Sequence, residues 1–214
     1  MAEQFSLGGI PLPRRRPMCR NFRADPLPEG LVTELLDRAR RAPSAGNTQA
    51  VEFWVVSQPE RYWSLTLTPE RRTGFAWPGL LAAPVLVVVL TEPDRYVRRY
   101  GEPDKFRTGL GESAEADELR TGLGESAEAW PVPYWWVDAG MAVHNLLLDA
   151  SALGWGSCFF GAFHHEAALV AGLGIPEDRR VVGTVALGYP ADDRAGPSAS
   201  RPRRPLHEVV HIVE

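Results

Sequence analysis

Cysteine is scarce in this sequence, and the two cysteines present, Cys19 and Cys158, lie far apart. Two isolated cysteines do not build the disulfide framework of a small secreted domain, and without a CxxC pair they do not match a zinc site. The adjacent His164 and His165 do not favour one shared metal ion, because neighbouring side chains point in different directions on a strand or a helix. We therefore expect no metal, and a reduced, cytoplasmic compartment.

Long apolar runs are also lacking. The longest spans 80–90 and contains Pro84, so it is too short to cross a bilayer. The first residues include arginines but no apolar segment of the kind found in a signal peptide. The net charge is -4, which does not favour a protein that binds nucleic acid through bulk charge. We expect neither membrane nor nucleic acid as a partner.

Lysine is nearly absent, since 22 of the 23 basic residues are arginine and Lys105 is the exception. The arginines are concentrated at the two ends of the chain, at positions 14, 15, 16, 20 and 23 and at positions 201, 203 and 204. Guanidinium groups bind phosphate with two parallel hydrogen bonds. Two interpretations are open: solvated ends, or one anion site that both ends build together.

Hydrophobic residues make up 44% of the 214 positions, which is ordinary for a globular protein with one main domain. Helical periodicity predicts a helix from about Pro28 to Pro43 and two more at 136–153 and 165–173. The middle helix is apolar on nearly all sides, so we expect it to be central and buried. Extended segments are predicted at 51–57, 85–91, 158–161, 181–188 and 209–213. This mixture predicts an α+β fold with a mostly antiparallel sheet flanked by helices.

One segment is duplicated in tandem. Residues 104–116 (DKFRTGLGESAEA) are followed directly by residues 117–129 (DELRTGLGESAEA), with eleven of thirteen positions identical. The GLGESA motif in each copy resembles a dinucleotide fingerprint, but no strand precedes it, so we reject that interpretation. We expect 1–13 to be a flexible leader, 14–214 to be a single domain, and 95–135 to be a variable insert or lid on the rim of its site.

Six short motifs follow one another in a recognisable order. They are RRRPMCRNF (14–22), APSAGNTQ (42–49), HNLLLDASALGWGSCFFGAF (144–163), LGIP (173–176), LGYP (187–190) and RRPLHEVV (203–210). Their order and spacing resemble those of the FMN-dependent nitroreductase family. The resemblance covers about half of the chain and leaves out 60–137.

This resemblance implies a nitroreductase-like fold and a homodimer with two FMN sites at the subunit interface. It also implies that the segment 209–213 is a strand exchanged between the subunits. The implied reaction uses NAD(P)H to reduce the flavin, and nitroaromatics, quinones or related acceptors then take the electrons in a ping-pong mechanism. The cofactor supplies the redox chemistry, and the protein supplies binding and orientation.

The resemblance also assigns roles to individual residues. Arg16, Arg20, Arg201 and Arg203 correspond to phosphate contacts, and Met18 occupies the place of a serine among them. Residues expected to line the flavin are Pro43, Ser44, Ala45 and Asn47, with Asp138 near a position where relatives place an amide facing the ring. The catalytic turn would be Phe160 and Gly161, whose backbone N–H points at flavin N5. The substrate slot would be formed by Trp135, Trp136, Phe163 and His164, for which core packing is the alternative.

The chain departs from the family pattern at several points. Pro17 and Met18 replace an arginine and a serine, and the segment 75–78 (FAWP) lacks the asparagine or lysine that some relatives direct at the flavin. Two alternatives to the general reductase therefore remain. One is a specialised member that acts on a single metabolite by oxidation, dehalogenation or flavin breakdown. The other is a non-enzymatic FMN-binding module.

Overall fold

The structure is a computed structural model that describes residues 17–105, 122–194 and 196–213. Three predicted features lie wholly or partly outside these residues. They are the leader 1–13, the phosphate contact Arg16, and the duplicated segment, of which residues 106–121 are outside. The end of the second copy forms a 3-10 turn at Ala127–Ala129.

A four-stranded antiparallel sheet organises the described chain. Its strands are β1 (Val51–Val56), β2 (Val85–Thr91), β3 (Gly156–Phe160) and β4 (Arg180–Gly188). The spatial order is β1-β2-β4-β3, and every neighbouring pair is antiparallel. This arrangement confirms the predicted α+β class, and the strand boundaries differ from the predicted ones by no more than two residues.

Six helices accompany the sheet, and three of them were not predicted. The predicted helices are α1 (Leu31–Ala39), α5 (Tyr134–Ala152) and α6 (Glu166–Leu173). The additional ones are the short helices α2 (Pro59–Thr66), α3 (Pro69–Thr73) and α4 (Pro93–Tyr100). Each of the additional helices begins with a proline, whose fixed φ suits the first turn. None of the described helices has the length and apolar character required to cross a bilayer.

The helices cover both faces of the sheet. The side chains of β2 alternate between the two cores, because successive residues of a strand point to opposite faces. Leu86, Val88 and Leu90 join a core with Tyr62 and Trp63 of α2. Val87 and Val89 join the opposite core, which also includes residues of α1 and α5 such as Leu35 and Leu146.

Helix α5 is less enclosed than its sequence suggests. The prediction of burial on nearly all sides is wrong for one face in this single chain, where Val137 is 43% exposed and Gly140 and His144 are also exposed. The opposite face is buried against α1 and the sheet. One stripe of the helix, which includes the apolar Val137 together with Gly140 and His144, therefore has no cover within the described part of the chain.

The C-terminal segment does not form a strand in the single chain. A 3-10 turn at Leu206–Glu208 precedes residues without regular structure, and Ile212 and Val213 are 86% and 92% exposed. An isolated strand has no backbone partner for its hydrogen bonds, so a second copy would be required to order it. The exchange of 209–213 between subunits therefore stays a prediction.

Candidate functional site

The predicted flavin-lining segment forms a strained turn between α1 and β1. Three of its residues, Gly46, Asn47 and Gln49, have φ values of 62°, 54° and 53° in the left-handed region. Asparagine tolerates this region better than most residues, whereas glutamine does so at a cost. Within the turn, the Gln49 N–H donates to Ser44 Oγ at 3.0 Å and the Asn47 N–H donates to the Ser44 carbonyl at 2.8 Å. We call residues 44–49 the strained turn.

Helix α4 fixes the outer side of the strained turn. Arg99 Nε donates to the Gly46 carbonyl at 2.8 Å, and Arg95 Nε donates to the Thr48 carbonyl at 3.1 Å. A Cβ atom on Gly46 would lie 2.8 Å from the Tyr100 ring and 3.1 Å from Lys105 Cε. Only glycine therefore fits where the turn approaches this helix and the residues that follow it.

Asp138 of α5 fixes the inner side of the turn. Its side chain is buried, and one oxygen, Oδ2, accepts the Ala45 N–H at 2.8 Å and the Tyr96 hydroxyl at 2.7 Å. Burial is the main cause, and the hydrogen bond to Asp138 the second, of a pKa of Tyr96 far above its usual value. This hydroxyl therefore stays protonated and donates to Asp138. The other oxygen, Oδ1, is also buried and has no hydrogen-bond partner among the described residues. Asp138 thus lies beneath the strained turn and contacts its backbone.

A small cavity lies next to this carboxylate. Its volume is about 100 Å³, and its walls include Pro43, Ser44, Gln49 and Asp138. The structure therefore brings the four residues predicted to line the flavin, Pro43, Ser44, Ala45 and Asn47, close to Asp138. Ala45 bonds to Asp138 directly, and Asn47 belongs to the same turn.

A cationic cluster forms where the two ends of the domain meet. The guanidinium carbons of Arg20 and Arg194 lie 5.1 and 4.5 Å from the centre of the Trp77 ring, within the range of a cation–π contact. Arg20 Nη1 donates to the Met18 carbonyl at 3.4 Å, and Arg194 donates to the Ala76 carbonyl. Neither arginine forms a salt bridge with a carboxylate in the described ranges. We call Arg20, Trp77 and Arg194 the arginine–tryptophan cluster.

The predicted phosphate contacts near the end of the chain lie outside the arginine–tryptophan cluster. Arg201 and Arg203 are exposed, and no hydrogen bond between described residues links them to Arg20. Arg204, by contrast, pairs with Glu208 at 3.2 Å. The sequence therefore identified Arg20 but not its neighbour Arg194, which belongs to a polar loop with no periodic signal.

The predicted catalytic turn follows β3. The Phe160 ring stacks on Trp63 with ring centres 5.9 Å apart and planes within 12° of parallel. A Cβ atom on Gly161 would lie 3.0 Å from the Phe163 ring, so that ring covers the glycine. Phe163 is 85% exposed and has a φ of 44°, which is unusual for an aromatic residue. An exposed aromatic ring thus lies over the backbone predicted to face flavin N5.

The four predicted slot residues do not all face one surface. Trp135 is buried with Trp130 and Tyr96, so for this residue the structure agrees with the core-packing alternative. Trp136 is half-buried, and the Arg180 guanidinium carbon lies 5.5 Å from its ring centre. Arg180 in turn pairs at 2.8 Å with Glu166, which follows closely after the exposed His164. Trp136, Phe163 and His164 remain candidates for the slot, and Arg180 adds a cation beside them.

The sequence analysis did not predict three residues of the candidate site. Arg95, Tyr96 and Arg99 all belong to α4, within a region that sequence reasoning took for a variable insert. The signal was present in PDRYVRRY, because an initial proline and polar residues at helical spacing are typical of a short helix. No group of three or more histidine, cysteine, aspartate or glutamate side chains within the described residues is arranged to bind a metal.

Comparison with known proteins finds related sequences over most of the chain. The sequence model of the nitroreductase family matches residues 14–189. A protein of Thermus thermophilus named NADH dehydrogenase is 33% identical over 199 residues, which cover 92% of this chain and 91% of that protein.

Solved structures share the fold. A nitroreductase family protein of Streptococcus pneumoniae superposes with a TM-score of 0.65 at 20% identity, covering 92% of this chain and 96% of that one. An FMN-dependent nitroreductase of Clostridium difficile superposes with a TM-score of 0.62 at 18% identity, covering 94% and 96%. At sequence identities of 18% and 20%, the structural similarity establishes the fold alone.

Proposed function

Because the chain belongs to the nitroreductase family of oxidoreductases, we propose that it is an FMN-dependent enzyme that uses NAD(P)H to reduce nitroaromatics, quinones or related acceptors by a ping-pong mechanism. Membership of this family sets aside the non-enzymatic module. The observation that carries the proposal is the arginine–tryptophan cluster, where two guanidinium groups have no carboxylate partner among the described residues: Arg20 near the start of the matched region and Arg194 just after its end.

The residues of the chain suit FMN at its phosphate end. Arg20 and Arg194 offer charge-assisted donors, and each such bond contributes about 1.5–3 kcal/mol. Met18 removes the hydroxyl donor that the family pattern places there, and we assign its replacement to Arg194. Arg16, Arg201 and Arg203 would add further charge from the two ends of the chain.

The residues also suit the flavin ring. The strained turn presents Ser44, Ala45 and Asn47 in a fixed conformation, and Gly161 leaves its backbone accessible once the Phe163 ring moves aside. When bound, FMN would supply the transfer of electrons from NAD(P)H to the acceptor. Phe160 would keep the catalytic turn in place by stacking on Trp63.

The slot would be lined by planar groups. Trp136 and Phe163 offer aromatic faces, and His164 adds an exposed imidazole near them. Flat nitroaromatic and quinone rings suit such faces, because offset stacking stabilises aromatic pairs. Arg180 would attract the negatively charged end of an acceptor or of the nicotinamide cofactor.

A homodimer would complete the site. The exposed stripe of α5 and the exposed apolar segment 209–213 are surfaces that a second copy of the chain would cover. The strained turn would then line the flavin of the partner subunit. The buried thiols of Cys19 and Cys158 suit the reduced cytoplasm proposed for the protein.

A specialised activity on one metabolite is the second candidate. Helix α4 lies in the region that sequence reasoning took for a variable insert, yet it anchors the strained turn. A segment that contacts the proposed flavin-lining turn would restrict which substrates reach it. Rapid turnover of many unrelated quinones and nitro compounds, with no preferred substrate, would contradict this candidate.

The visible absorbance spectrum of the purified protein tests the proposed function first. We expect flavin bands, release of FMN on heating, and loss of the bands when NADH or NADPH is added without oxygen. Titration of the stripped protein with FMN and with riboflavin, which lacks the phosphate, should show much tighter binding of FMN. A colourless protein that FMN does not reconstitute would overturn the proposal.

A further inference from the structure

The hydrogen bonds of Asp138 give it a role that differs from contact with the flavin. Its Oδ2 accepts both the Ala45 N–H and the Tyr96 hydroxyl, and its side chain is only 2% exposed. No other acceptor among the described residues bonds to the Ala45 N–H. Asp138 is thus the contact that ties the inner side of the strained turn to α5.

The strained turn needs such a contact to keep its conformation. Asn47 and Gln49 both have positive φ, and residues in this region persist only where the surroundings over-determine them. Arg95 and Arg99 bind carbonyl groups on the outer side of the turn. Without Asp138, the inner side would lose its bond to the body of the protein.

A buried carboxylate at position 138 costs free energy of folding, which indicates that it has a function. A buried polar group costs free energy unless hydrogen bonds compensate it, and Oδ1 of Asp138 has no partner among the described residues. A small apolar residue would fill the space without that cost. What the carboxylate adds is one strong acceptor, fixed in place by the Tyr96 hydroxyl and directed at Ala45.

We propose that Asp138 is a positioning residue, which fixes the strained turn in the conformation that binds flavin without itself contacting the ring. Tyr96 assists by orienting the carboxylate. This inference rests on the proposed function, because the turn is taken to line the flavin. It predicts that hydrogen-bonding capacity at position 138 matters more than negative charge.

Four variants separate positioning from general stability. Asp138→Ala removes the acceptor, whereas Asp138→Asn keeps an oxygen that can accept from both Ala45 and Tyr96. Tyr96→Phe removes only the orienting hydroxyl. Val143→Ala is the matched control, because Val143 is a buried residue of α5 that packs against the sheet core and not against the turn.

The first measurement is the dissociation constant of FMN for each stripped protein, read from flavin fluorescence. We expect Asp138→Ala to raise it about tenfold or more, because both hydrogen bonds that Oδ2 accepts would be lost. Asp138→Asn should stay within about threefold of the wild type, Tyr96→Phe should fall between the two, and Val143→Ala should not change it. The visible circular dichroism of bound FMN should change in Asp138→Ala and be restored in Asp138→Asn.

The second measurement needs no flavin. Hydrogen exchange of the peptide that contains 44–49 should be faster in Asp138→Ala than in Val143→Ala and close to wild type in Asp138→Asn. If the wild type binds no FMN, the proposed function fails, and the exchange data still decide whether Asp138 fixes the turn. Unchanged exchange in Asp138→Ala, or equal losses in Asp138→Ala and Asp138→Asn, would overturn the inference.

Discussion

At the scale of single residues, the arginine–tryptophan cluster places a second cation beside the segment that contains Met18 and Arg20. Met18 provides no hydroxyl, but Arg194 reaches the same region of the surface from the other end of the domain by stacking on Trp77. Trp77 contacts Arg20 in the same way. The FAWP segment, which lacks the polar residues of some relatives, thus provides an aromatic support for two cations.

Arg194→Ala should weaken FMN binding while leaving riboflavin binding nearly unchanged. The expected loss is about tenfold in the dissociation constant of FMN, because one charge-assisted contact to the phosphate would be removed. Arg71→Ala is the control, since Arg71 is an exposed arginine of α3 and its substitution changes the net charge equally. Equal FMN affinity in both variants would contradict the role of Arg194.

The residues of the site were partly accessible to sequence reasoning. Motif order led to the predictions of Arg20, the turn residues and Phe160, because these lie in short segments with fixed spacing. It related Asp138 to a position near which relatives place an amide facing the ring, and the structure adds that this side chain lies beneath the strained turn. Its contacts to Ala45 and Tyr96 depend on packing between distant segments, which a local pattern does not encode.

At the scale of elements, the strands were predicted more fully than the helices. A buried strand such as β2 is apolar along its whole length, so its pattern is visible without knowledge of its neighbours. Helices α2, α3 and α4 have at most eight residues and are rich in charge and proline. Such short helices depend on tertiary contacts more than on propensity, so a weak local signal such as the initial proline of α4 was not enough to predict them.

The start of β4 depends on an ion pair that responds to pH. Hydrogen bonds from Arg180 and from the Val181 N–H lower the pKa of Glu166 below its usual 4.5. The stability that this pair contributes is therefore fully present above that value and is lost as the pH falls through the lowered pKa in the folded state. The pair joins the first residue of α6 to the first residues of β4.

Glu166→Gln should reduce the free energy of unfolding at pH 7 and have progressively less effect in acid. The difference from wild type should shrink as the pH falls below about 4.5, because the wild-type carboxyl then becomes protonated as well. Urea unfolding at several pH values measures this difference. Glu29→Gln, at an exposed position, is the control, and a difference that stays constant down to pH 3 would argue against the assignment.

At the scale of the whole molecule, the described chain leaves two apolar surfaces open. One is the stripe of α5 that contains Val137, and the other is the segment 209–213. Contiguous exposed apolar surface is uncommon in monomeric proteins and usually marks an interface. Both surfaces suit a symmetric dimer, in which the same surface of each subunit is buried against the second copy.

Val137→Asp should shift the protein toward a monomer. A carboxylate in an apolar interface must lose its hydration, so the dimer would be weakened and the monomer mass of 23.6 kDa would become detectable by sedimentation. FMN affinity should fall with it, since the strained turn is proposed to serve the partner subunit. Leu153→Asp, at the other end of α5 and similarly exposed, is the control. A Val137→Asp protein with the same sedimentation as wild type would count against an interface on this stripe.

The near absence of lysine has a practical consequence. Lys105 carries the only side-chain amine of the sequence, its Nζ lies 5.5 Å from the centre of the Tyr100 ring, and its stem lies beside Gly46. An amine-selective fluorophore would therefore label one side chain next to the strained turn without any engineered substitution. Once labelling of the α-amino group has been separated by peptide mapping, the emission from Lys105 would report changes in the strained turn, so the unmodified protein contains one side-chain probe of that turn.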